Sequence, residues 1–187
     1  FIWDASILIN KRDGKMYFGE FCSNRPGYNS LFTELAQTGS VTQFFEKIAR
    51  KESPFMMGTV ATSVRNLNRD ENTERVAADI TIDYRNEIEK DLWLWDAQKN
   101  QRGKLVTVGF DWNLAVITGA GKSIDEAVSK MYKNVDGFAF VGAYYRSKDD
   151  YLSLDYPTSI INRLNYGLER GLYRLPFNVK VGEIQAK

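Results

Sequence analysis

Histidine is absent from the 187 residues, and cysteine occurs once, at Cys22. The first absence removes Ser-His-Asp triads, imidazole acid–base catalysis, HExxH zinc sites and histidine-ligated haem from this chain. The second removes an internal disulfide and a four-cysteine zinc site, and fits a reducing compartment. No run approaches the roughly eighteen apolar residues that a bilayer-spanning helix needs, and no signal-peptide pattern opens the chain. The expected setting is the cytoplasm, with no membrane partner. An excess of one charge is also missing. Lys and Arg number 25 against 24 Asp and Glu, a formal net charge of +1, so nothing drives the whole chain toward nucleic acid or anionic lipid, and neither is an expected partner. What remains is an ordinary globular composition, 43% hydrophobic and 13% aromatic, long enough for one domain or two small ones.

The text opens directly on an apolar strand, Phe1 to Asn10, with no methionine and no polar lead-in. Chains rarely begin inside a buried strand, so this one is expected to be the later part of a longer protein. Asp13-Gly14 between two apolar runs predicts a hairpin, because glycine supplies the positive φ that the turn demands. The polar stretch Cys22 to Asn29, with its Pro-Gly, then reads as a loop at a strand end, a common place for chemistry. Two short helices are predicted next. One runs over 30–37 with Leu31, Phe32 and Leu35 on one face; the other follows the Ser40-to-Gln43 capping box and buries Phe44, Phe45, Ile48 and Ala49. Lys47, Arg50 and Lys51 at its end need no more than the helix macrodipole. Pro54 marks a candidate domain boundary, and Met56 and Met57 read as core filler.

From Gly58 the period shifts toward two. Strands are predicted over 59–67, 79–83, 91–95, 104–108 and 112–118, separated by polar turns, which gives an antiparallel meander or small barrel. Ser123-Ile124-Asp125-Glu126 opens a helix whose apolar stripe, from Ile124 to Val135, should lie on the sheet; the glycines before it read as a turn feeding that helix. Phe138 to Tyr145 reads as one returning strand, and 159–173 has a helical period. Trp93, Trp95, Trp112, Tyr144 and Tyr145 offer a base-stacking platform, but alternating aromatics more simply pack a half-buried sheet.

The segment richest in chemistry is Gly19 to Asn29. A carboxylate at a strand end, followed by an amide and a guanidinium, suits a divalent cation beside an anionic substrate: Mg2+ takes carboxylate, phosphate and water oxygens, and Arg offers a fixed donor fork. The run Phe1 to Asn29 resembles the last hairpin of the ATP-binding fold of ATP-grasp enzymes. Its Arg25-to-Asn29 portion is similar to the phosphoribosylamine–glycine ligase branch. A second stretch, Gly119 to Ala127 followed by Tyr132 and by Phe140 to Arg146, resembles the carboxy-terminal domain of the same ligases, with their G-x-G-x-S-x-x-E-A helix start and closing Y-Y-R. The two matches stand in the family's order.

The resemblance implies an α+β chain: the end of an ATP-grasp subdomain (1–57, hairpin plus helices), a small antiparallel β-rich domain with one packed helix (58–150), and a helical tail (151–187). It implies ATP and Mg2+ as cofactors, Glu20 and Asn24 as metal ligands, Glu20, Asn24 and Asn29 around the nucleotide, and Arg25 as the catalytic cation. Glycine and phosphoribosylamine would be joined through an acyl phosphate, a step of purine synthesis, with the missing amino-terminal part of the protein as a necessary partner. Such chemistry runs on metal and charge, so the lack of histidine is no obstacle. The family's asparagine two residues after the glutamate is here Cys22, a soft ligand for a hard ion, and Asn24 stands two further on. Two alternatives follow: a non-catalytic binding or assembly module derived from the ligase tail, and an ATP-grasp ligase for another carboxylate and amine.

Overall fold

The computed structural model describes residues 4–22, 40–52 and 58–171. The opening hairpin forms as expected. Strand β1 (Asp4–Ile9) pairs antiparallel with β2 (Met16–Cys22). Gly14 closes the turn at φ +69°, its amide donating to Asn10 O over 2.8 Å, where a Cβ would be strained. The ladder carries one irregularity. Ile7 faces Phe18 but Ser6 faces Glu20, so Gly19 is an extra residue on β2. Such a bulge reverses the side on which later residues stand. Phe18 and Phe21, three apart, therefore share a side and their rings meet at 4.5 Å between centroids, while Glu20 joins the side of Ser6, Leu8 and Tyr17.

Helix α1 (Val41–Ala49) begins at Ser40, whose Oγ accepts from the Gln43 amide at 3.3 Å. Phe44 is its buried anchor, and Lys47 lies in its last turn. The predicted helix over 30–37, Pro54, Met56 and Met57 lie outside the described residues.

The second part is built on one long antiparallel pair, β3 (Gly58–Asn66) against β8 (Asn113–Gly121). Between them in sequence lie β4 (Asp83–Tyr84), a 3-10 turn (Asn86–Asp91), β5 (Leu92–Leu94), β6 (Ala97–Lys99) and β7 (Leu105–Thr107). The main sheet has the order β10-β3-β8-β5, where β10 is Ala143–Tyr144. This antiparallel sheet is an open one and not the expected meander, because β3 pairs with β8 and β10 instead of with its sequence neighbours. The β6–β7 pair and the pair of β4 with β9 (Phe138–Ala139) form separate two-stranded pieces.

Helix α2 (Ile124–Val135) lies on β3 and β8, capped by Ser123, whose Oγ accepts from the Glu126 amide. Val64, Ile117 and Val135 form one cluster beneath it; Val128, Met131 and Tyr151 form another, with Val60 and Ile160 against it. Gly119 and Gly121 belong to β8 and are not the turn expected of them. They stand on the side facing α2, and a Cβ on Gly119 would sit 2.7 Å from Met131 Cα, with the Ala127 carbonyl and Met131 amide nearer still. The glycines thus let the helix backbone settle onto the strand. Asn134 fixes the far end of the helix, donating to Asp91 Oδ2 at 3.1 Å and to Thr118 O at 2.9 Å.

The single returning strand expected over 138–145 is two, split where Gly142 takes φ +81°. Its halves join different sheets. Beyond them lie α3 (Asp149–Leu152) and α4 (Ile160–Glu169), the latter capped by Ser159. No helix among the described residues is long and apolar enough to cross a membrane.

Candidate functional site

Of the residues first expected to carry the chemistry, only Glu20 has a described side chain. It stands exposed on β2, opposite Ser6, with the bulge just before it. Cys22 ends the strand across from Asp4. Asn24, Arg25 and Asn29 lie outside the described residues. An exposed carboxylate at a strand end fits one oxygen ligand of Mg2+. Among the described residues no group of three His, Cys, Asp or Glu side chains comes together to complete such a site.

The structure assembles a different set of polar groups at the edge of the main sheet. Strand β10 is only two residues long and covers β3 at Arg65 and Asn66 alone, so the edge of β3 before Arg65 is left to the segment that follows. That segment folds across it through α3 and the turn into α4. Tyr151 reaches under, its hydroxyl donating to Ala61 O at 2.6 Å. Asn162, in the first turn of α4, donates to Leu154 O at 2.9 Å and Tyr156 O at 2.8 Å and so ties down the loop carrying Tyr156 and Thr158. Ser147 and Asp150 lock the start of α3 reciprocally: the Asp150 carboxylate accepts from the Ser147 amide and hydroxyl, and Ser147 Oγ accepts from the Asp150 amide.

Between these elements lies a cavity of about 390 Å³, within the range of small-molecule sites. Arg65 comes from β3, Arg146 from the segment just after β10, and Arg163 from α4; Thr62, Tyr151 and Asp150 also line it. Of the acidic residues, Asp150 lines the cavity, and its carboxylate accepts from Ser147. Arg65 and Arg146 form no ion pair with a described residue. The Thr62 hydroxyl is buried with no hydrogen-bond partner; it stands near enough to the Tyr151 phenol to favour its ionisation, yet not placed to bond it. Burial dominates and holds the Tyr151 phenol above its ordinary pKa, against Thr62 and the Arg146 charge. Tyr132, whose hydroxyl donates to the Arg146 carbonyl, is raised likewise, first by burial and then by Tyr151 and Asp150. Both phenols are therefore neutral donors at physiological pH.

Tyr144 and Tyr145 were singled out in sequence as part of the closing Y-Y-R motif and as a stacking platform or sheet packing, Arg146 only as part of the motif, and Arg65 and Arg163 not at all. A signal for Arg65 existed: it is the one charged residue within Gly58 to Leu67. The aromatics divide. Trp93 is half-buried and Nε1 bonds Thr118 Oγ1 at 3.4 Å, as packing predicts, whereas Trp95, Trp112, Tyr144 and Tyr145 are 38–55% exposed, more than a packed sheet face requires. Arg69 stacks on the Trp112 ring, 4.8 Å from its centroid.

The crystal structure of phosphoribosylamine–glycine ligase from Thermotoga maritima matches 75% of this chain with a TM-score of 0.56 and 19% sequence identity. The chain shares the fold of that part of the ligase. At the level of the fold this agrees with the resemblance drawn from the sequence. The matched part is 34% of the ligase's own length. Urea carboxylase and urea amidolyase from Kluyveromyces lactis each match 82% of the chain, at 16% and 17% identity, with TM-scores of 0.47 and 0.46, too low to carry weight. No protein-family model and no curated protein matches the sequence.

Proposed function

We propose that this chain is the carboxy-terminal part of an ATP-dependent carbon–nitrogen ligase of the phosphoribosylamine–glycine ligase type. The observation that carries the reading is the fold shared with that ligase over three quarters of the chain, together with two sequence matches in the same order. In this reading residues 1–57 complete an ATP-binding subdomain, 58–150 form the carboxy-terminal domain, and 151–187 form a helical tail. Tyr151 and Ile160 join the core beneath α2, which supports an early tail packed on the domain.

Glu20 would hold Mg2+ through its carboxylate, with Asn24 as a second oxygen donor. The ion, when bound, supplies positive charge to phosphate oxygens. Asn29 would contact the nucleotide, and Arg25 would hold the glycine carboxylate or its acyl phosphate while the amine of phosphoribosylamine displaces phosphate. These roles ask chiefly for fixed charge and orientation, since the departing phosphate can take the proton that the attacking amine loses, and they match a chain without histidine.

The test uses the full-length protein, with ADP release measured against glycine and phosphoribosylamine together and singly. Release that requires both, and falls by at least about tenfold in Glu20→Ala with a raised magnesium requirement, supports the assignment. Release that depends on another amino acid points to a ligase of different substrate. No nucleotide turnover with any amino acid points to the non-catalytic module.

A further inference from the structure

We propose that α4 straps the turn of the opening hairpin to the β-rich part of the chain, with Arg170 as a positioning residue for the strand that carries Glu20. The contact joins opposite ends of the described chain. A Cβ on Gly14 would stand 3.1 Å from Arg170 Nη1 and 3.9 Å from Arg170 Cδ, so the arginine lies along the open side of that glycine. Gly14 thus meets two needs at once, the positive φ of its turn and room for a guanidinium.

Arg170 is itself held in place. Its Cζ stands 4.5 Å from the centre of the Tyr166 ring, one helical turn earlier. The Tyr166 hydroxyl is buried, so the ring is a fixed surface for the planar guanidinium. Gly171, at φ +62°, ends the helix just beyond. At its other end α4 is anchored in the β-rich part. Ile160 packs against the cluster of Val128, Met131 and Tyr151, Ile161 is buried, and Asn162 holds the loop before the helix. A rod of ten residues, about 15 Å long, therefore runs from the core under α2 to the hairpin turn.

The hairpin needs such a hold. Strands β1 and β2 form a sheet of two, and Ile7, Leu8, Met16, Tyr17, Phe18 and Phe21 are each at least half exposed. A lone pair of strands is marginal in water. Lys11, Arg12 and Lys15 outnumber Asp13 in the turn, so charge does not draw Arg170 there; stacking and fit hold it. The contact lies at the end of the hairpin away from Glu20, about 20 Å along the strand. Arg170 acts on that carboxylate through the stiffness of β2. The strap stands on contacts among the described residues, and only its bearing on Glu20 as a magnesium ligand rests on the ligase reading.

Hydrogen exchange of the full-length protein, followed by mass spectrometry, tests the strap without any turnover. In Arg170→Gln, and in Tyr166→Leu, which removes the stacking ring, peptides from the hairpin should exchange about twofold to tenfold faster, the loss of one modest contact. Peptides from β3 and β8 should keep their rates. Arg102→Gln, in the exposed loop between β6 and β7, should change neither. Because stacking and not charge makes the contact, the difference should persist in about 0.5 M salt. Where the protein releases ADP, Arg170→Gln should raise the magnesium needed for half-maximal rate more than it lowers kcat. Unchanged hairpin exchange in both variants, faster exchange spread equally over β3 and β8, or a difference erased by salt would overturn the strap. Absence of ADP release would overturn the ligase reading and leave the exchange result to decide the strap alone.

Discussion

Replacing Gly119 with alanine adds one methyl group at the tightest contact between helix and sheet. The new carbon would lie 2.7 Å from Met131 Cα and closer still to the Ala127 carbonyl and the Met131 amide. Comfortable carbon contacts begin near 3.5 Å, so α2 must withdraw by about 1 Å. All three obstacles are backbone atoms, and no side-chain rotamer can relieve them. Withdrawal would loosen Val128 and Met131, both fully buried. Overpacking costs about 1–3 kcal/mol, and a rigid obstacle places this case near about 3 kcal/mol. For a protein of this size about 2–4 °C is lost per kcal/mol, so thermal unfolding followed by circular dichroism should show a fall of about 6–12 °C. Adding Met131→Ala should not restore it, because the clash is not with that side chain. Gly103→Ala is the control. Nothing lies within 4 Å of its Cβ, but its φ is +73°, so it should cost only the strain of a left-handed residue, about 1 kcal/mol. A fall for Gly119→Ala no larger than that of the control would refute the close approach of α2.

Other expectations concern buried polar groups. Asn134→Ala strips Asp91 and the Thr118 carbonyl of a donor in a buried site, and urea denaturation should show a loss of about 3 kcal/mol, part of which returns when Asp91→Ala is added. Tyr132 and Tyr151 have folded pKa values above the ordinary value of 10. Below that pH both states hold their phenol protons, whereas above it the unfolded chain releases them first. Stability is therefore retained below pH 10 and declines as pH rises beyond it. Denaturant midpoints taken across that range should fall, and the slope should flatten in the Tyr132→Phe/Tyr151→Phe protein; an equal slope would sink the assignment.

Much of the framework was legible because it depends on near neighbours. Asp13-Gly14 announced its turn, and Ser40, Ser123 and Ser159 each cap a helix through a residue three positions on. The strand around 104–108 and β3 follow from a period near two, whereas β8 is a continuous buried run from Leu114 to Gly119. α2 does lie on the sheet as its stripe required, but several features set by distant partners were misread. Gly119 and Gly121 look like turn residues until α2 is placed over them, and Phe138 to Tyr145 looks like one strand until its halves find separate sheets. The expected strand at 79–83 is reduced to a bridge at Thr81 and the start of β4, with Asp79 at φ +59°. The cavity was illegible for the same reason: Arg65, Arg146 and Arg163 are brought together only when the turn after α3 folds back across β3. The hairpin carboxylate was legible as a strand-end group, though its side was not.

That side depends on Gly19. A strand normally sorts its residues by odd and even, so counting along the sequence tells which ones are companions. Past the bulge the count is offset by one: Phe21 keeps company with Phe18, and Glu20 with Tyr17. Deleting this glycine would close the ladder into plain alternation with Glu20 still facing Ser6 and Phe21 still facing Ala5, so every later side chain would keep its surface. A strand that kept the extra residue but paired it in regular register would present the carboxylate from the other side, so identity at position 20 has meaning only when the pairing of the residue before it is known.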